Sequence, residues 1–252
     1  MGDKKTKKAK KVTTTTTVEY VDVPTNEKTH IICILDRSGS MSSIMDDSIG
    51  GFNTFLKQQK ELPDEATITI ALFDDKYELL YDNVNIKKAK ELTSNDWYPR
   101  GMTALYDAVG KTINTEKAKF ATLDKKDKPN KVLVCIVTDG YENSSQEFDI
   151  NDIKKLIKNC EKDDWNFIYL AANQSAFDVG TSFGVSAGNT FTYTTSSAGV
   201  NTMNRKLNKA TTMYRSVSSD SLDFAAVSKT LLDDENNTYT SSSTSDDLET
   251  EK

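Results

Sequence analysis

The sequence is poor in histidine and in cysteine. His30 is the one histidine among 252 residues, so a Ser-His-Asp hydrolase or a histidine-rich zinc site has almost nothing to draw on. Three cysteines do not suggest an extracellular disulfide framework. Cys33 and Cys135 lie inside apolar segments, which predicts buried thiols.

Long apolar runs are also missing. No stretch approaches the roughly 20 apolar residues of a membrane span, and the amino terminus lacks the apolar segment of a signal peptide. We therefore expect a soluble protein without a membrane partner, kept in the cytoplasm or packaged in a virion assembled there.

The net charge of −6 (32 Lys and Arg minus 38 Asp and Glu) conceals two ends of opposite sign. Residues 1–17 carry six lysines against one aspartate, and residues 220–252 carry nine acidic residues against two lysines. Both ends have too few apolar side chains to offset the entropy of ordering. Nucleic acid is not an expected partner, except through the basic arm. The predicted organisation is a basic arm at 1–28 with a short β-prone piece at 18–23, a folded domain at 29–216 and an acidic tail at 217–252.

Two apolar segments end abruptly in oxygen-bearing side chains. Ile31–Leu35 has no polar interruption, as in a central parallel strand covered on both faces, and Asp36-x-Ser38-x-Ser40 follows it directly. The segment 131–137 repeats this pattern and ends in Thr138-Asp139-Gly140. Because ligands of open α/β sheets bind beyond the carboxyl ends of strands, we expect both oxygen groups at one edge of a sheet.

Strand and helix patterns alternate along the rest of the domain, which predicts an α/β fold with right-handed crossovers. A strand at 66–73 turns at Asp74-Asp75 and returns at 76–84 as a hairpin. The other predicted elements are helices at 44–61, from 103 or 104, at 149–162, near 175–183 and at 198–216, and strands at 166–172 and 189–193.

Three local features carry further expectations. Ser42 or Ser43 is expected to cap the first helix. The glycine pair at 50–51 is expected to allow close packing against the sheet, since glycine costs a helix about 1 kcal/mol relative to alanine. Lysine- and aspartate-rich residues 115–130 are expected to form an exposed connection.

Five side chains at strand ends and helix starts are predicted to form one oxygen cluster: Asp36, Ser38, Ser40, Thr103 and Asp139. Hard oxygen donors suit a cation of the Mg²⁺ type, and the cluster offers no sulfur or imidazole for zinc or copper. Two carboxylates and three neutral hydroxyls leave a divalent cation able to take another anion, such as an Asp or Glu of a partner protein, if the carboxylates act partly through water. A plainer interpretation stays open, because Asp-x-Ser-x-Ser can cap a helix and Thr-Asp-Gly is common turn chemistry.

Competing sites fit the sequence poorly. An EF-hand loop starting at Asp36 would need glycine where Met41 stands, and no phosphate-binding Walker loop is present. His30 begins the strand that Asp36 ends, which separates the two by about 20 Å at the rise of a β-strand. We therefore do not expect an enzyme.

These motifs resemble a known family. The segments 36–41, 101–108 and 138–140 are similar to the three parts of the metal-ion-dependent adhesion site (MIDAS) of von Willebrand factor type A (VWA) domains. The resemblance runs from about residue 29 to 216, and it is strongest to the short intracellular versions of bacteria and their phages. Many relatives have Gly-Gly-Thr where this chain has Gly101-Met102-Thr103, which is tolerable unless residue 102 needs positive φ.

The resemblance implies a Rossmann-like, doubly wound sheet of five parallel strands and one antiparallel edge strand, with helices on both faces. It also implies that Ser38 and Ser40 bind the metal directly, that Thr103 does so directly or through water, and that Asp36 and Asp139 often act through water. The expected cation is Mg²⁺, with Mn²⁺ or Ca²⁺ as alternatives.

Two functions remain open from the sequence. The first is a non-enzymatic, metal-dependent protein-binding module for adhesion or assembly, whose partner is selected by loop residues around the cation: Trp97-Tyr98, 141–145 and 173–175. The second is a structural or accessory component of a large particle such as a phage virion.

Overall fold

A computed structural model of the protein describes residues 27–172 and 176–218, together with Phe224. A single sheet forms its centre, and its order within these residues is β3-β2-β1-β4-β5-β6. Neighbouring strands run parallel except β3, which is antiparallel to β2 at one edge. The strands are β1 (Thr29–Asp36), β2 (Ala66–Phe73), β3 (Tyr77–Asn85), β4 (Lys131–Thr138), β5 (Trp165–Ala172) and β6 (Thr190–Tyr193).

Helices cover both faces of the sheet: α1 (Met45–Glu61), α2 (Leu105–Thr122), α3 (Ile150–Glu161), α4 (Ala176–Ser182) and α5 (Ser197–Ser216). Side chains alternate between the faces of a strand. Ile31 and Leu35 therefore pack with α1 and α5, while Ile32 and Ile34 pack with α2 and α3. Every residue of β1 is buried, which explains its unbroken apolar run. The predicted fold class, five parallel strands with one antiparallel edge strand, is confirmed.

The register of the sheet brings the predicted oxygen groups to one edge. Leu35 lies opposite Leu72 of β2 and Val137 of β4. Asp36 therefore leaves β1 at the same level at which Thr138 ends β4. The loops after these strands start side by side at the carboxyl edge.

Two local predictions about α1 are wrong. Neither Ser42 nor Ser43 caps it, because Gly39–Ser43 form a 3₁₀ turn, Ile44 takes the N-cap position and Ser42 Oγ donates to Gly39 O instead. The close contact of the glycine pair is with α5 and not with the sheet. A Cβ on Gly51 would lie 2.0 Å from Asn204 Nδ2 of α5, whereas one on Gly50 would have open space.

The predicted exposed connection at 115–130 is wrong for its first half. α2 continues to Thr122, and Glu116 is buried against His30, with 3.3 Å between Glu116 Oε2 and His30 Nε2. Sequence composition suggested exposure because Glu116 stands among lysines. His30 belongs to this cluster at the amino end of β1, whereas Asp36 lies at the other end of the strand.

All three cysteines are free and buried, as predicted for Cys33 and Cys135. Among the residues described, no helix combines the length and apolar character that a membrane crossing requires. The predicted basic arm with its piece at 18–23, the acidic tail and the rim segment 173–175 lie outside the described residues, apart from residues 27, 28, 217, 218 and 224.

Candidate metal centre

Asp36 shapes the loop that follows β1. Its Oδ1 accepts a 2.6 Å hydrogen bond from the backbone N–H of Ser38, which folds the chain back at the end of the strand. Its Oδ2 accepts a 2.6 Å bond from Thr138 Oγ1 on β4. Both oxygens of this fully buried carboxylate are therefore engaged by the protein, so Asp36 joins the two loops.

The hydroxyls of Ser38, Ser40 and Thr103 converge above Gly140. The Oγ atoms of Ser38 and Ser40 lie 3.0 Å apart. A Cβ built on Gly140 would lie 3.2 Å from Thr103 Oγ1, 3.4 Å from Ser40 Oγ and 3.9 Å from Ser38 Oγ. Glycine therefore leaves open a space that three hydroxyl oxygens border.

Asp139 supplies the second carboxylate. Its Oδ1 accepts a 2.5 Å hydrogen bond from Ser40 Oγ, whereas its Oδ2 is buried and has no hydrogen-bond partner among the described residues. A buried, unpaired carboxylate oxygen is costly unless something compensates it. A cation beside the serine hydroxyls would supply that compensation.

Burial also changes the protonation of the two carboxyls. Burial raises the pKa of Asp36 to about 6, outweighing the hydrogen bonds from Thr138 and Ser38 that lower it. Burial also raises the pKa of Asp139, against the opposing hydrogen bond from Ser40. Each carboxylate is thus harder to ionise in the fold than in water.

The donor set fits a hard divalent cation. In the described part of the chain, no three His, Cys, Asp or Glu residues gather into a metal-binding group. The cluster instead combines two carboxylates with three neutral hydroxyls, and oxygen donors of this kind suit Mg²⁺, Mn²⁺ or Ca²⁺. Ser38, Thr103 and Asp139 are buried, but Ser40 is exposed, so the site opens to solvent.

The Thr103 loop is held by hydrogen bonds to Asn143 and to the serine loop. Thr103 N–H donates to Asn143 Oδ1 at 2.8 Å, and Asn143 N–H donates back to Thr103 O at 3.0 Å. Gly39 N–H donates to Gly101 O, which ties this loop to the serine loop. Sequence reasoning placed Asn143 only among polar rim residues. Its pairing with Thr103 has no sequence signal, because it depends on two loops meeting in the fold.

Gly101 and Met102 occupy different backbone conformations. Gly101 has φ of +67°, the left-handed region that favours glycine. The described non-glycine residues with positive φ are Asn83 and Asp164, so Met102 is under no such constraint. The methionine is therefore tolerated at the position where many VWA domains carry glycine.

The predicted rim divides into exposed and buried residues. Trp97 is not a rim residue: it is buried, and its Nε1 donates a 2.9 Å bond to Asp36 O beneath the site. Tyr98, Met102 and Tyr141 are exposed by 41%, 53% and 62%. Arg100 orients Tyr98, since its Nη1 donates to the tyrosine hydroxyl at 2.9 Å and its guanidinium lies 5.3 Å from the ring centroid.

No protein-family model matches the sequence, and no curated protein matches it either. Solved structures do match. The vWF domain of the type V pili tip protein Mfa5 from Porphyromonas gingivalis aligns with a TM-score of 0.51 and 10% identity, over 74% of this chain and 97% of that one. A von Willebrand factor type A structure from Catenulispora acidiphila gives 0.50 and 15%, over 72% and 42%.

Proximal thread matrix protein 1 (PTMP1) from the mussel byssus, in a structure with a zinc-occupied MIDAS motif, also gives 0.50 and 15%, over 73% and 46%. The chain thus spans less than half the length of the PTMP1 and Catenulispora chains. At identities of 10–15% the likeness is one of fold. The chain therefore has the fold of a von Willebrand factor type A domain.

Proposed function

We propose that the chain is a metal-dependent protein-binding module, in which Asp36, Ser38, Ser40, Thr103 and Asp139 hold a divalent cation that captures a carboxylate of a partner protein. The observation that carries this proposal is the buried Oδ2 of Asp139, which lies beside three converging hydroxyls and finds no hydrogen-bond partner in the described part of the chain. A helix cap or a tight turn would not require such an oxygen. The plainer interpretation of the motifs is therefore the weaker one.

The expected cation is Mg²⁺, with Mn²⁺ or Ca²⁺ as alternatives. PTMP1, which shares the fold, has been seen with zinc in its MIDAS motif. In this chain two carboxylates balance a divalent charge, and the three hydroxyls add no further negative charge. The bound metal would supply Lewis acidity toward an incoming carboxylate, while the protein residues fix its position.

The partner we propose is a protein that presents an Asp or Glu next to apolar side chains. Tyr98, Met102 and Tyr141 lie on loops around the cluster, and each exposes a large apolar surface. Aromatic groups around a central anchor are typical of residues that dominate binding energy at protein interfaces. The carboxylate would supply metal dependence, and the rim would supply selectivity.

This role involves binding without covalent chemistry. The alternative from the sequence, a structural or accessory component of a particle such as a virion, finds no support among the similar structures. A location in the cytoplasm or in a virion, and a kinship with bacterial or phage proteins, stay predictions.

A display selection tests carboxylate capture with random peptides in place of the natural partner. The peptides would be selected on the immobilised chain in Mg²⁺ and eluted with EDTA. We expect an Asp or Glu in the eluted peptides, and loss of binding when it becomes Asn or Gln. The Ser38→Ala, Ser40→Ala double variant serves as the control and should retain none of them. Peptides that bind equally well in EDTA, or without an acidic residue, would contradict the proposal.

A further inference from the structure

Asp74, which the sequence places in a tight turn, is a buried charge at the centre of an ionic network. Its side chain is fully buried at the end of β2. Oδ2 lies 2.5 Å from Arg100 Nε and 3.4 Å from Arg37 Nε, and Oδ1 accepts a bond from Lys76 N–H. The Asp74 carboxylate therefore pairs with two guanidinium groups and also accepts a backbone hydrogen bond within the turn after β2.

The two arginines come from the loops that carry the hydroxyls of the candidate metal centre. Arg37 stands between Asp36 and Ser38, and its side chain is only 1% exposed. Its Nη1 donates a 2.6 Å bond to Glu78 Oε2 on β3. Arg100 precedes Thr103 by three residues, and its backbone N–H donates to Arg37 O at 2.7 Å.

The backbone of Asp74 holds the same loop at a second point. Ala104 N–H donates to Asp74 O at 2.9 Å. No hydrogen bond joins Asp74 to the side chain of a predicted ligand among the described residues. Asp74 instead holds residues on both sides of Thr103. Its carboxylate holds Arg100, and its backbone carbonyl holds Ala104.

We propose that Asp74 is a positioning residue of the candidate metal centre, which sets the placement of the Thr103 hydroxyl against Ser38 and Ser40 through Arg37 and Arg100. The inference rests on the proposed cation site. Buried ion pairs often contribute little net stability relative to apolar packing, and in some proteins their role is to specify one geometry. Because Mg²⁺ demands near-ideal octahedral geometry, a loop that shifts would lose affinity while every ligand remained present.

The test compares Asp74→Asn with Asp75→Asn, a matched control in which the neighbouring exposed residue, which lies against Gly101 of the Thr103 loop, loses the same charge and keeps its shape. Long-range electrostatics would weaken cation binding similarly in both variants. If Asp74 positions the loop, Asp74→Asn alone should lose about tenfold in Mn²⁺ or Mg²⁺ affinity. This is the lower end of the loss seen when a residue that supports a metal ligand is replaced. Calorimetric titration of the folded proteins measures it.

A second variant guards against a failure of Asp74→Asn to fold. The Arg100 side chain is 35% exposed, so Arg100→Gln should keep the fold. Removing a positive charge near a cation site should strengthen binding by electrostatics alone, whereas positioning predicts a several-fold weakening. If charge alone mattered, cation affinity would fall in Asp74→Asn and rise in Arg100→Gln. If positioning matters, cation affinity falls in both variants.

A readout without metal separates this inference from the proposed function. In EDTA, amide hydrogen exchange over residues 97–104 should be faster in Asp74→Asn and Arg100→Gln, and unchanged in Asp75→Asn. Equal affinities in the two aspartate variants, tighter binding by Arg100→Gln, or unchanged exchange would overturn the positioning role. A parent chain that binds no cation would instead overturn the cation site itself, and with it this inference.

Discussion

Ser40 Oγ donates a 2.5 Å hydrogen bond to Oδ1 of Asp139, a residue 99 positions further along the chain. The bond joins the loop after β1 to the loop after β4, which neighbouring parallel strands bring to the same edge of the sheet. The other oxygen of Asp139 is buried and accepts no hydrogen bond from any residue that the structure describes. The pair thus leaves one carboxylate oxygen uncompensated beside the serine hydroxyls.

Gly140→Ala should damage the cation site but not the fold. The new methyl would lie 3.2 Å from Thr103 Oγ1 and 3.4 Å from Ser40 Oγ. Because Mg²⁺ tolerates little distortion, we expect affinity to fall by about tenfold. The free energy of unfolding without metal should change by less than about 1 kcal/mol. Gly39→Ala is the control, since its Cβ would make one ordinary contact, 3.5 Å from Gly101 O. Equal affinities in the two variants would contradict this geometry.

The adjacent glycines of α1 should respond in opposite directions to alanine. Gly50→Ala adds a methyl in open space and should stabilise the helix by about 1 kcal/mol. Gly51→Ala would force aside Asn204, which donates a bond to Val200 O, and should destabilise the protein by about 1 kcal/mol. Urea denaturation measures both changes. In an Asn204→Ala background the penalty at Gly51 should largely disappear, and its persistence there would argue against this contact.

Asp36 should make the stability of the metal-free protein depend on pH. Its pKa is about 6 in the fold, above the ordinary value of about 3.9. Its stabilising contribution is therefore fully present below pH ~4 and is lost as the pH rises through ~6, a difference of about 2–3 kcal/mol. In EDTA, the melting temperature of the parent minus that of Asp36→Asn should increase as the pH is lowered from 7.5 to 5. Parallel pH profiles for the two proteins would show that Asp36 is not perturbed.

The rim tyrosines should affect partner capture without affecting the metal. Tyr98→Ala combined with Tyr141→Ala removes two exposed aromatic groups, and binding of a selected acidic peptide should weaken by about tenfold. Calorimetric titration with Mg²⁺ should give the affinity of the parent, because neither side chain belongs to the oxygen cluster. Unchanged peptide binding in the double variant would show that these tyrosines are not part of the interface.

The sequence predicted the sheet because its signals are local. The apolar runs that become β1 and β4 are read directly as buried strands, and the oxygens beyond them follow from where those strands end. Glu116 and Asp74 were missed for the opposite reason. Each is a charged residue whose burial depends on partners distant in the chain, His30 for the first and Arg37 for the second. Trp97 was wrongly predicted to lie on the rim, because its bond to Asp36 O joins two loops that are distant in the sequence.

The cation site itself is tested most directly by calorimetric titration of Mg²⁺ and Mn²⁺ into three proteins. These are the parent chain, the Ser38→Ala, Ser40→Ala double variant, and a Ser43→Ala control that removes an exposed hydroxyl from the same turn and keeps the bond from Ser42 to Gly39. We expect one divalent cation per chain in the parent and the control, and loss of binding in the Ser38, Ser40 variant. Equal affinity in all three proteins would contradict the proposed cation site.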